Sequence, residues 1–192
     1  MTVWAHEGVV AIRSALLFCA CLLLAGFGCS AIKVQADYDK DADFRSLKTY
    51  DWLENRPGFS GTAASETERE AEIGEIIETA AGEALTGKGY RRDAVNPDVL
   101  LSYHVGSDTQ IDVSAWGYRY ARSYWGWHGR GADVSVYRPG TLIVDLIDSD
   151  TMTLIWRGAV PSVIEDPMTL QAARERIPVA VHEMFKGYPP AQ

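Results

Sequence analysis

The sequence predicts an α+β domain: an antiparallel β-sheet with two α-helices packed on one face. Three observations predict it. Residues 140–160 hold two apolar runs rich in branched side chains around the polar turn Asp148-Ser149-Asp150-Thr151, the pattern of a β-hairpin. Residues 65–89 and 166–187 each carry apolar residues at three- and four-residue steps, the pattern of an amphipathic helix. The other strand-like stretches precede the first helix or lie between the two, so the order is strands, helix, about four strands, helix.

Residues 31–37 alternate as a first strand, and 37–41 are polar and turn-like. Phe44 to Leu47 suits one helical turn. Residues 48–53 read as a second strand, with Tyr50 and Trp52 on one face. Residues 55–65 hold Pro, Gly and small residues and read as a loop. The first helix opens with Ser65 and Glu68 as a capping box, each side chain satisfying a backbone N–H of the first turn. Glu66, Glu68, Glu70 and Glu72 sit near its positive end. Ile73, Ile76, Ile77, Ala80, Ala81, Ala84 and Leu85 form its buried stripe, and Gly87 and Gly89 end it. Residues 90–92 form a short strand, 96–98 a turn, and 99–105 the next strand, expected to continue as an edge through 108–113. Residues 114–135 break the periodicity. The last helix is expected to start at Asp166, with Pro167 in its first position. Leu170, Ala173, Ile177, Val181, Met184 and Phe185 form its stripe, Pro178 is expected to kink or split it, and Gly187 to cap it.

The hairpin register follows from burial. Placing Ile147 opposite Thr153 sets Val144 against Trp156 and Leu146 against Leu154. Leu142, Val144, Leu146, Leu154 and Trp156 then share the core face. The other face carries Ile143, Asp145, Ile147, Ile155 and Arg157, with Asp145 and Arg157 within reach of a diagonal ion pair. A one-residue slip would carry Arg157 into the core. The two charges predict a second face that is only partly covered, where the pair would be worth about 0–1 kcal/mol.

The chain has 192 residues and a net charge of −8. Apolar content near half fits one domain with a real core. An acidic chain with no basic run is a poor ligand for nucleic acid, because phosphate contacts supply most of that affinity. It also gains nothing from anionic lipid headgroups. Residues 15–28, ALLFCACLLLAGFG, form an apolar run after Arg13, too short to span a membrane comfortably and proportioned like the core of a signal peptide. The run ends in small residues before Cys29 and resembles a lipoprotein signal, with Gly26 and Phe27 departing from the usual pattern. The resemblance implies cleavage before Cys29 and acylation of that residue. Three acyl chains, at about 0.8 kcal/mol per CH₂, anchor far more firmly than one. Residues 1–28 are therefore expected to be the signal and 29–192 one envelope domain. Its attachment to the membrane runs through lipidated Cys29, and Ser30 directs it to the periplasmic face of the outer membrane. With Cys19 and Cys21 in the leader, the mature chain would hold no disulfide, redox pair or thiolate metal site.

Little else points to chemistry. Asp37, Asp39, Asp41 and Asp43 have oxygen-rich spacing but lack the central Gly and terminal Glu of a calcium loop, so they read as a solvated turn. His104, His128 and His182 form no metal-binding pattern, and no nucleotide-binding or nucleophile-elbow motif is present. No metal or cofactor is expected. The segment holding Trp116, Tyr118, Tyr120, Tyr124, Trp125 and Trp127, interleaved with Gly and Arg, is the candidate binding surface. Such rings stack on sugars, pack at protein interfaces and sit at membrane boundaries, or fold back on their own sheet. An envelope protein or a glycan is the partner class such a surface would take.

Taken together, several short motifs resemble the bacterial lipoproteins grouped as domain of unknown function 4136. They are Asp37-Tyr38-Asp39 with Phe44; Lys48-Thr49-Tyr50-Asp51-Trp52; Lys88-Gly89-Tyr90; Pro97-Asp98; Gly140-Thr141-Leu142 with Asp145 and Asp148; Trp156-Arg157-Gly158; and Tyr188-Pro189-Pro190, where Tyr replaces the usual Phe. The resemblance implies an envelope lipoprotein of α+β fold and no particular activity, so it transfers no catalytic residue. The functional expectation is a non-enzymatic binding or assembly module. The rival, a hydrolase acting on an envelope glycan or lipid, would need a pocket converging on Asp145, Arg157 or His104.

Overall fold

Three strands of eight residues each carry the sheet: β5 (Val99–Gly106), β9 (Thr141–Asp148) and β10 (Thr153–Val160). The computed structural model describes residues 32–53, 58–60, 68–106, 111–112, 119–120, 134–135, 139–165 and 167–190, all within one unit, Ile32–Gln192. Around the three long strands lie β1 (Gln35–Tyr38), β2 (Thr49–Trp52), β3 (Gly58–Ser60) and β4 (Arg91–Arg92). The helices are α1 (Glu68–Thr86) and α2 (Leu170–Phe185). The sheet order is β1-β10-β9-β5-β2-β4; β3 also pairs with β5, and β7 (Arg119–Tyr120) with β10. Among the described residues, no helix is long and apolar enough to cross a membrane.

The α+β class stands, but the sheet is mixed rather than antiparallel. β9 pairs antiparallel with β5 and β10, and β1 antiparallel with β10. By contrast β2 pairs parallel with both β4 and β5, β3 parallel with β5, and β7 parallel with β10. For β2 and β4 the physical reason is the crossover: α1 lies between them in the chain, after β3, and a strand–helix–strand return gives parallel neighbours. The expected loop 55–65 is also corrected, because Gly58–Ser60 joins the sheet. So is the extension of β5: Ile111–Asp112 (β6) pairs with Val134–Ser135 (β8) in a separate two-stranded sheet.

Both helices cover one face and pack on each other. Of the predicted stripes, Ile73, Ile77, Ala80, Ala81 and Leu85 of α1 and Ala173, Ile177, Val181, Met184 and Phe185 of α2 are buried, while Ile76, Ala84 and Leu170 are half-buried and pack against that core. They meet Tyr50 and Trp52 of β2, Leu101, Tyr103 and Val105 of β5, and Leu142, Val144 and Leu146 of β9. Helix α1 lies so close that Tyr103 Oη occupies the space of a Cβ on Gly74, and a Cβ on Gly82 would come within 2.9 Å of Tyr50 Oη. Mid-helix glycine costs roughly 1 kcal/mol relative to alanine, which this close seating of α1 over two tyrosines offsets. The expected capping residue Ser65 lies outside the described residues.

Helix α2 starts later than expected. Thr169 is its N-cap, accepting a hydrogen bond from the Ala172 N–H at 3.2 Å. Pro167 precedes the helix, and Asp166 lies outside the described residues. Pro178 does not split it: the helix runs through to Phe185, with buried Ile177, Ala180 and Val181 holding both sides of the missing N–H. Lys186, not Gly187, is the C-cap. Beyond it Tyr188 turns inward, its ring against Trp156, Phe185 and Phe44 and its hydroxyl 2.7 Å from that of Tyr90. Asp98 Oδ2 accepts the Lys48 and Thr49 N–H groups while Thr49 Oγ1 accepts the Asp98 N–H. This reciprocal lock ties the start of β2 to the start of β5.

The hairpin register differs from the expected one. Thr153 pairs with Asp148 and Leu154 with Ile147; after a bulge, Trp156 pairs with Leu146 and Arg157 with Asp145. Ile155 is the extra residue. The bulge places both Ile155 and Trp156 in the helix-facing core, and the Ile155 carbonyl accepts the Asp39 N–H at 2.8 Å. Leu154 is thereby left on the second face, opposite Ile147, where it is fully buried.

Candidate functional site

The second face of the sheet carries a row of polar side chains set by register alone. Ser102 of β5 lies opposite Asp145 of β9, Asp145 opposite Arg157 of β10, and Arg157 opposite Asp37 of β1. Because side chains alternate along a strand, all four share one face, and His104, two residues beyond Ser102, shares it too. Ile143, Ile147, Leu154 and Ala159 flank the row. The expectation of a half-open face is corrected: Asp145 and Ser102 are 0% exposed, His104 1% and Arg157 4%. The pair is also direct rather than diagonal: the turn sets β10 one residue off the expected register, the bulge adds one more, and Arg157 comes squarely opposite Asp145.

The geometry is that of a buried bidentate ion pair. Arg157 Nε donates to Asp145 Oδ1 and Nη2 to Oδ2, both at 2.6 Å. This fork-to-carboxylate match makes two charge-assisted hydrogen bonds, each roughly twice as strong as a neutral one. His104 Nε2 lies 3.3 Å from Asp145 Oδ2 and 3.4 Å from Ser102 Oγ. Burial pulls the Asp145 carboxyl upward, but the Arg157 charge and hydrogen bonds, joined by His104, outweigh it and hold the group well below the usual carboxylate range. For His104 burial wins: it strips water from the imidazolium and lowers the pKa, against the pull of Asp145 and with the help of the Arg157 charge.

That balance makes a prediction about pH. The unfolded chain protonates His104 near its ordinary 6.5, whereas the folded chain does so only at lower pH. Between those two values the unfolded state holds the extra proton. The His104 contribution to stability is therefore level above pH 7 and falls as pH drops through 6.5, at a slope of up to about 1.4 kcal/mol per pH unit. In urea titrations from pH 7.5 to pH 5, the wild-type chain should lose more stability than His104→Gln. Parallel profiles for the two chains would contradict the placement.

Ser, His and Asp side chains thus converge, yet they do not form a proton relay. Ser102 Oγ and Asp145 Oδ2 approach the same ring nitrogen, whereas a relay needs the hydroxyl on one nitrogen and the carboxylate on the other. Asp145 is also engaged on both oxygens by Arg157. Sequence reasoning identified the Asp145–Arg157 pair and missed Ser102 and His104 as its neighbours. The available signal was the alternation of Ser102 and His104 against apolar Leu101, Tyr103 and Val105, which puts both polar groups on the face opposite the helices.

Of the other candidate residues, Tyr120 lies in β7, its backbone paired with Leu154. Cys29, Trp116, Tyr118, Tyr124, Trp125 and Trp127 lie outside the described residues. The acidic run ends in turn chemistry: Asp39 Oδ1 accepts the Asp41 N–H, and Asp43 Oδ1 the Arg45 N–H. Among the described residues, no group of three His, Cys, Asp or Glu side chains is placed to hold a metal ion.

A family model described as Domain of unknown function (DUF4136) matches residues 34–190. Among solved structures, the fold is similar to a DUF4136 family protein from Bacteroides thetaiotaomicron, with a TM-score of 0.54 and 19% identity over 82% of this chain and 96% of that one. A PDZ domain protein from Parabacteroides distasonis matches with a TM-score of 0.49 and 19% identity, over 84% of this chain and 36% of that one. A PelC dodecamer from Paraburkholderia phytofirmans matches with a TM-score of 0.39 and 17% identity, over 80% of this chain and 98% of that one. The first supports the fold; the other two lie below 0.5 and carry no argument. No curated protein matches the chain in sequence.

Proposed function

Because the chain belongs to the DUF4136 family, we propose that it is an envelope lipoprotein, anchored through acylated Cys29, whose domain binds or assembles with a partner and performs no catalysis. The observation that carries the non-catalytic half is the burial of the polar row. Ser102, His104 and Asp145 have at most 1% of their surface exposed, and the hydroxyl and carboxylate share one imidazole nitrogen. A hydrolase needs a nucleophile that a substrate can reach and a base oriented by a third group. What this row supplies instead is a charge-paired element inside the sheet.

The anchor rests on the leader. The apolar run 15–28 ends in small residues at Cys29, and only residues 30–34 separate that cysteine from the first strand. A tether that short holds a domain close to the surface it is anchored to. The periplasmic face of the outer membrane suits an acylated domain with Ser30 after the cysteine. An acidic domain of net charge −8 would owe its membrane attachment to the acyl chains and not to lipid headgroups.

Cells expressing the full chain and fed an alkyne analogue of palmitate test this reading. The wild-type chain should take up the label and fractionate with membranes. Cys29→Ser should lose at least ten-fold of the label and accumulate at the size of the uncleaved precursor. An unlabelled wild-type chain, or a Cys29→Ser chain labelled as strongly, would overturn the anchor.

A further inference from the structure

We draw no further inference here: the strongest candidate, the cavity of about 300 Å³ between the C-terminal halves of α1 and α2 with Lys88, His182 and Lys186 on its rim, lies over the buried core side chains Ala80 and Phe185, and nothing among the described residues shows what would occupy it.

Discussion

Arg157→Met should cost the folded chain about 3–5 kcal/mol, because it leaves the Asp145 carboxylate buried with its main counter-charge gone. Against a typical total of roughly 5–15 kcal/mol, that is enough to move the urea midpoint far toward zero denaturant. Asp145→Leu should also be damaging, because Arg157, only 4% exposed, loses its bidentate carboxylate and keeps Asp37 as the facing acidic residue. The double variant Asp145→Leu, Arg157→Met should recover most of the loss. It removes both charges and extends the apolar patch of Ile143, Ile147 and Leu154, leaving the loss of the carboxylate partner of His104 at about 1–3 kcal/mol. Additive losses in the double variant would show that the two residues act independently.

The second large effect belongs to Gly140. Its φ is +75°, a region that costs a residue with a Cβ roughly 1–2 kcal/mol. A Cβ there would also run into the backbone carbonyl of Ile164, which has no side-chain freedom with which to give way. The Gly140 carbonyl accepts the Val163 and Ile164 N–H groups at 3.0 Å each, so the strand exit at 163–164 is seated on this glycine. Gly140→Ala should therefore cost about 3 kcal/mol or more, as the strain and the clash add. Gly89 provides the control: its φ is +87°, but the space around it is open. Gly89→Ala should cost only the conformational share, about 1 kcal/mol. Equal losses at the two glycines would remove the steric argument.

The parts of this fold that were readable in the sequence are those fixed by periodicity. Both helix stripes and the three long strands follow from where apolar side chains recur, and burial enforces that recurrence. The parts that were not readable depend on geometry between distant segments. Parallel pairing of β2 with β4 and β5 comes from where α1 returns the chain, which no local pattern records. The bulge at Ile155 inserts one residue, and one residue is enough to change the partner of every side chain from Trp156 onward. The expected register puts Leu154 in the core opposite Leu146; with Thr153 opposite Asp148 instead, Leu154 meets Ile147 on the other face, and the bulge then brings both Ile155 and Trp156 into the core. The shift at the turn and the bulge together turn a diagonal pair of charges into a direct one. Two registers that keep the same faces differ in whether Asp145 meets Arg157 head-on, and the buried pair selects between them. As for the site, residue type suggested the charges, but only the pairing of β5 with β9 brings Ser102 and His104 to them.

On the proposed function, the Ser-His-Asp-Arg row is interior structure and not a reaction centre. The most direct measurement is to expose the native full-length chain to a fluorophosphonate probe and to look for an adduct on the Ser102 peptide by mass spectrometry. No adduct is expected, since the hydroxyl is fully buried and the carboxylate meets the same imidazole nitrogen as the hydroxyl. An adduct on Ser102 in the native chain that disappears in His104→Gln would contradict that reading.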